Sequence, residues 1–374
     1  VWDYSWRKWG KGNQTYIEQE ILIDSQPPTV SLLSHAHNLN QGGVGLVIYR
    51  LSEECPHSGV MVGETFYPGY SGYSSDKAVH LAFFALSHEQ GPGTKIQLQA
   101  RDVAGNLRQA GIPHHINKRK FRKDVLNIPD SFLERKMPEF NADLPDNAGL
   151  PPVQQFLQVN SALRKANAEA IYKVTRKSEA QIFWKGSFVR LPNAANRARF
   201  ADAREYRHNG KVIDHQRHMG IDLASLALSP IPAANAGKVI FAESLGIYGQ
   251  TVIIDHGFGL FSLYGHCSSI DVAAGQMVAR GEIIAKTGTT GLAGGDHLHY
   301  GMLVGSMALW GGTWPVGRVV AASVAPCNAA LLRFVLATAA LGLICLRTQG
   351  WGAFRVRPGL LPQLLMLGAT GIFG

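Results

Sequence analysis

Between Ile21 and Ile116, apolar and polar residues alternate in short runs separated by turn formers: TVSLLS, GVGLVIYRLS, GVMVG, VHLAFFALS and TKIQLQARD. A period of two sends successive side chains to opposite faces, so each run predicts a half-buried strand. Several such strands in succession predict a small β-sandwich over 1–116. After Pro151-Pro152 the period changes. Phe156, Val159, Leu163, Ala166, Ala170 and Val174 recur every three or four residues, which predicts one amphipathic helix opened by prolines. With the basic run HHINKRKFRKDV before it, read as a solvated face, this helix forms a connector over 117–179. From about Ala180 the chain returns to short strands punctuated by glycine, and a second, antiparallel β-domain is expected over 180–304. The fold class is therefore mainly β. No fixed-period repeat, glycine-rich phosphate loop or GxSxG elbow occurs.

Composition supports this division. A chain of 374 residues, 46% hydrophobic, can fill two ordinary cores, and 41 glycines with 18 prolines suit strands and turns. The formal charge of +9 would suggest a nucleic-acid partner, but its placement argues otherwise. Arg318, Arg333, Arg347, Arg355 and Arg357 supply five of those charges in a stretch from Gly301 on that has no lysine and no acid. What remains is too scattered for a stripe that tracks phosphates, although it suits an anionic polymer. Residues 305–374 change composition abruptly and are expected to be foreign to the domain before them, through a shifted reading frame or a fusion. Their apolar run FVLATAALGLICL, about 13 residues, falls short of the roughly 20 that span a bilayer. The chain opens at Val1 with neither an initiator Met nor an apolar leader, so any export signal or membrane anchor is expected upstream. Cys55, Cys267, Cys327 and Cys345 show no paired short spacing and are expected to be unpaired and structural.

The candidate chemistry lies in two short segments. In RHMGIDLAS, extended backbone would turn His218, Gly220 and Asp222 to one face and Met219, Ile221 and Leu223 to the other. In GGDHLHYGM, His297 and His299 share a face opposite Leu298, Tyr300 and Met302. Two facing strands would thus present three imidazoles and one carboxylate. A catalytic zinc needs about three nitrogen or oxygen ligands and one open position, and a set without thiolate favours zinc over iron–sulfur or copper chemistry. Spacing alone leaves open which of His297 and His299 is a ligand. Other polar residues have plainer uses. His215, His35, His37, His114 and His115 read as solvated, Asp255, His256 and Asp296 as turn residues with a supporting role as the alternative, and Tyr206 and Tyr264 as core rather than oxyanion donors.

Between the two segments lies IIDHGFGLFSLYGHCSSIDVAAGQMVARGEIIAKTGTTG. Taken in order, HMGID, LYGH, the VAAGQMVARGEIIAKTGTTG hairpin and GGDHLHYGM resemble the catalytic domain of the lysostaphin-type (LytM-like) zinc endopeptidases, over residues 181–302. IQLQARDVAGNLRQA similarly resembles the last hairpin of bacterial immunoglobulin-like modules. The first resemblance implies an antiparallel sheet of the duplicated-hybrid-motif type and one zinc ion per chain, held by His218, Asp222 and His299, with His266 and His297 as the catalytic pair. It further implies hydrolysis of peptide cross-links on peptidoglycan stems, in the periplasm or cell envelope, with no nucleic-acid partner. The alternative is a non-catalytic relative that binds wall or activates a partner amidase. Two positions depart from the pattern. Cys267 stands where the family usually has an aliphatic residue, and the chain after about Gly305 lacks the usual Asn-Pro and Trp-rich close.

Overall fold

The structure is a computed structural model and describes residues 24–147 and 149–305, all within one compact unit. The expectations for residues 1–23, for the tail from 306 on and for Cys327 and Cys345 lie outside the described residues.

The alternating runs of the N-terminal part form two four-stranded antiparallel sheets. One orders Val30–Leu32, Val44–Leu51, Val79–Ala85 and Tyr70–Ser71; the other orders Thr65–Pro68, His57–Val62, Ile96–Arg101 and Leu107–Gly111. Their inward residues, among them Val47, Tyr49, Phe84, Val60, Val62 and Leu98, fill a single core. The Asp102 carboxylate closes the last hairpin by accepting from the backbone and side-chain nitrogens of Asn106. Two histidines differ from expectation. His37 and His114 face each other in a parallel pair of short strands and are half-buried, each bonding backbone carbonyls, whereas His35 and His115 are exposed.

The stretch 117–179 does more than connect. Its strand Lys123–Asn127 pairs in parallel with Ala203–His208, which pairs in turn with Lys211–Arg217. Helix α1 (Asp130–Lys136) follows. Then Pro152–Gln158, a π-helical turn Val159–Leu163 and Arg164–Val174 run on as one long helix, α2. The buried positions here are Phe156, Val159, Asn160, Leu163 and Asn167, and not the expected Ala166, which is exposed. The apolar pattern selected the alanines. Burial instead follows contacts such as the Asn167 amide oxygen, which accepts from the Ile247 nitrogen.

A seven-stranded sheet, all its pairs antiparallel, carries the rest. Its order is Ala195–Ala198, Ile221–Ala224, Leu298–Val304, Leu260–Cys267, Gln250–Asp255, Gly237–Ser244 and Met277–Val278. One face packs Leu223, Leu298, Val252 and Tyr264 against a three-stranded sheet that contributes Ile231 and Ala285. The other face presents Ile253 and Leu263 to Ile171 and Val174 of α2. A third cluster, including Leu133, Phe140, Phe156, Val159 and Tyr206, joins the helices to the small parallel pair. None of the helices among the described residues is long and apolar enough to cross a membrane.

Candidate active site

Sheet register assembles the site. Asp222 lies directly across from His299, and His299 directly across from Gly265, so these positions form a row over three adjacent strands. Alternation then turns Leu223 and Leu298 to the opposite, apolar face, as the sequence pattern predicts. His266 needs a further device, because it follows Gly265 and would face away. The strand carries one extra residue between Tyr264 and Cys267 relative to its partner, and His266 adopts a left-handed backbone with φ 64°. A bulge of this kind re-aims a side chain, and a positive φ on a residue other than glycine is held only where its surroundings dictate it. His218 sits one residue beyond the strand Lys211–Arg217, fixed by backbone bonds to Asp202 and Ala201. Met219, expected on the apolar face, is 43% exposed and lines the cleft instead.

All five sequence-predicted residues come together. His218 Nε2 and His299 Nδ1 each lie 2.9 Å from Asp222 Oδ1 and 3.1 Å from each other, a triangle of ligand-type atoms among three buried side chains. His297 Nε2 lies 3.5 Å from the same oxygen, and the His266 and His297 rings are 4.8 Å apart. Tautomers follow from the partners. Three Nδ1 atoms face carbonyl oxygens and therefore carry the proton: His218 donates to Arg199, His266 to Thr290 and His297 to Gly295. That directs three Nε2 lone pairs away from these carbonyls. His299 is reversed, with Nδ1 in the triangle and a buried Nε2 that has no hydrogen-bond partner. Lone pairs of His218 and His299 facing a carboxylate oxygen at these distances repel unless a cation lies between them, so the donor set fits a metal ion.

Electrostatics agree. Burial opposes ionisation of Asp222, but the imidazoles of His218, His297 and His299 around it outweigh it and hold the carboxyl well below the usual range. Burial pushes His299 down to about 4, and burial with the neighbouring charges of His297 and His299 takes His266 well below the ordinary imidazole value. For His297, burial is outweighed by Asp222, and its value rises.

Several residues here escaped the sequence reading. Arg204 Nη2 donates to Asp222 Oδ2 at 2.8 Å, occupying the oxygen that lies outside the triangle. The Tyr248 ring packs 5.3 Å from that of His299. The site shares a cavity of about 420 Å³ with Ile128, Phe132 and Arg135, from the stretch expected to be a connector. Nothing local in the sequence marked these residues. Tyr206 and Tyr264 are core residues, and the Tyr264 hydroxyl is bonded to Ala234 and Ser262. His215 is exposed and points to Glu205. Asp255 and His256 are buried away from the triangle, bonded to Ser178, Glu179 and Gly257 and to Ala236 and Ser262 respectively. Asp296 caps a turn by accepting from Leu228.

The model of peptidase family M23 matches residues 216–309. The DD-carboxypeptidase/endopeptidase Mpg of Neisseria meningitidis serogroup B is 41% identical over 83 residues, 22% of this chain and 19% of that protein. The peptidoglycan DD-endopeptidase ShyB of Vibrio cholerae is 34% identical over 105 residues, 28% of this chain and 24% of that protein. The matched segments thus span only about a fifth to a quarter of these relatives. Among solved structures, a peptidase M23 from Pseudomonas aeruginosa aligns over 71% of this chain and 91% of its own, with 21% identity and a TM-score of 0.45. With the histidine and aspartate cluster inside the matched stretch, residues 216–309 carry a peptidase family M23 domain.

Proposed function

We propose that this domain is a zinc-dependent endopeptidase that hydrolyses peptide cross-links of bacterial peptidoglycan, acting in the cell envelope. The observation that carries the reading is the triangle of His218 Nε2, Asp222 Oδ1 and His299 Nδ1 with two further imidazoles beside it, at the floor of an open cleft. Those three side chains would hold a zinc ion, and the chemistry it would supply there is Lewis acidity, which activates water and polarises a carbonyl. His266 and His297 handle the protons. Each has Nδ1 pinned to a carbonyl, which leaves Nε2 to take a proton from the nucleophile or to return one to the leaving amine. Arg204 fixes Asp222 so that a single oxygen faces the histidines. The names of the relatives, a DD-carboxypeptidase/endopeptidase and a DD-endopeptidase, favour a bond between D-Ala and a diamino acid as the one cut.

The test pairs metal content with turnover. Purified protein is expected to hold about one zinc per chain and to release peptidoglycan fragments in a chelator-sensitive way. His299→Ala should lose the metal, whereas His297→Ala should keep it and lose hydrolysis. Zinc retained by His299→Ala overturns the ligand set, and zinc binding without any hydrolysis by the unaltered chain favours a wall-binding module instead.

A further inference from the structure

The long helix α2 contains a feature that neither packing nor the proton chemistry explains. Its π-helical turn, Val159–Leu163, brings Asn160 into the core, where it is wholly buried beside Val159 and Leu163. Burying an amide is unfavourable unless every polar atom is paired, and π turns recur at functional sites. Asn160 is paired at both ends. Its Nδ2 donates to Asp214 Oδ2 at 2.7 Å, which fixes the orientation of the amide. Its Oδ1 then accepts from Arg164 Nη2 at 2.6 Å, and its carbonyl accepts from Arg164 Nε at 3.2 Å. A carboxylate on one element thus orients an amide on another, and the amide grips one edge of a guanidinium that lines the cleft beside Tyr248 and His299.

The cleft's charge is one-sided. Arg135, Arg164 and Arg204 line it, and Asp222, its one acid, is already engaged by Arg204 and the histidines. Arg204 is committed to Asp222, and Arg135 is exposed on α1. Arg164 is therefore the cleft-lining guanidinium that a buried amide holds in place without pairing its charge, although it borders a second depression beside Ser161 and Lys165 as well. A planar fork held rigid loses little freedom on meeting a carboxylate, which makes it a selective reader of that group.

The geometry points to Arg164, held by Asn160 and Asp214, as a specificity residue that binds a carboxylate of the peptide substrate near the scissile amide. This rests on the peptidase reading for the identity of the ligand. The probe is a cross-linked stem-peptide dimer isolated from bacterial wall, compared with the same dimer after its carboxylates are converted to carboxamides. The zinc-loaded full chain is expected to bind the carboxylate form about ten- to a hundredfold more tightly, with a matching ratio in kcat/KM. Arg164→Gln should bring both ratios close to one. Arg164→Lys, which keeps the charge without the fork, should retain a preference of a few fold and serves in its place if the glutamine variant does not fold. Equal affinity of the unaltered chain for the two dimers, including no measurable affinity for either, overturns the assignment, as does a preference that survives Arg164→Gln. The two readings fail separately. Selective binding lost in Arg164→Gln without cleavage of either dimer sinks the peptidase reading and keeps this one, whereas cleavage of both dimers at equal efficiency does the reverse.

Discussion

At the scale of single residues, the atoms of the His218, Asp222 and His299 triangle are held as much by what is missing as by what is present. Gly220 lies between His218 and Asp222, and a Cβ built there would stand 2.5 Å from His299 Nε2 and 2.8 Å from the Tyr300 carbonyl oxygen. The backbone cannot easily yield, because Ile221 and Tyr300 are register partners in the sheet. Gly220→Ala is therefore expected to push His299 out of the triangle and weaken zinc binding roughly ten- to a hundredfold, read by competition against a chelator. Unchanged affinity would show that His299 can shift without leaving its ligand position. The same segment shows what the sequence could reveal. His218, Asp222, His297 and His299 were legible because their chemistry and a period of two are written locally. Arg204 and Arg164 were not, because they reach the cleft only through strand pairing and a helix crossing that no short pattern encodes.

At the scale of elements, the sequence predicted strands and helices well where burial follows hydrophobicity and poorly where polar contacts decide. The expected Ala166 gave way to Asn167, and the π turn at Val159–Leu163 holds a buried amide, Asn160, that pairs with Asp214. The aim of His266 was hidden for a related reason: a bulge depends on the neighbouring strand. Helix α1 owes its place to another polar contact. Lys136 is buried, and its Nζ donates to the Thr289 carbonyl and pairs with Glu139, which ties the cleft wall to the loop whose Thr290 carbonyl orients His266. Lys136→Ala leaves that carbonyl without its donor and removes the buried stem. A loss of about 1–3 kcal/mol in stability is expected, measured by the urea midpoint, and a shift indistinguishable from zero would mean that α1 is held by its apolar face alone.

At the scale of the whole molecule, the core of the large sheet sets a pH limit of its own. His256 is fully buried against Ala236 and Ser262, and burial lowers it from the ordinary 6.5 to about 4. The folded state thus favours the neutral ring, and on acidification the unfolded chain takes the proton first. Stability from this group is complete above about pH 6.5 and is lost progressively as pH falls toward 4, by up to about 3 kcal/mol. His256→Gln, although less stable at neutral pH, should show a correspondingly flatter decline across that window in denaturant titrations. A slope equal to that of the parent would assign the acid sensitivity to other groups.

The parallel pairing of Lys123–Asn127 with Ala203–His208 bears on how the chain is born. Lys123 meets Ala203 across the ladder, eighty positions later. At about 5–20 residues per second on the ribosome, the earlier strand emerges and waits several seconds for its partner, with the long helix already made. An unpaired strand invites the wrong neighbour, and alternating charges are the usual protection. KDVLN opens on the lysine and aspartate that end the basic run, so the charges read from the sequence as solvated surface also stand on this strand while it lacks its partner.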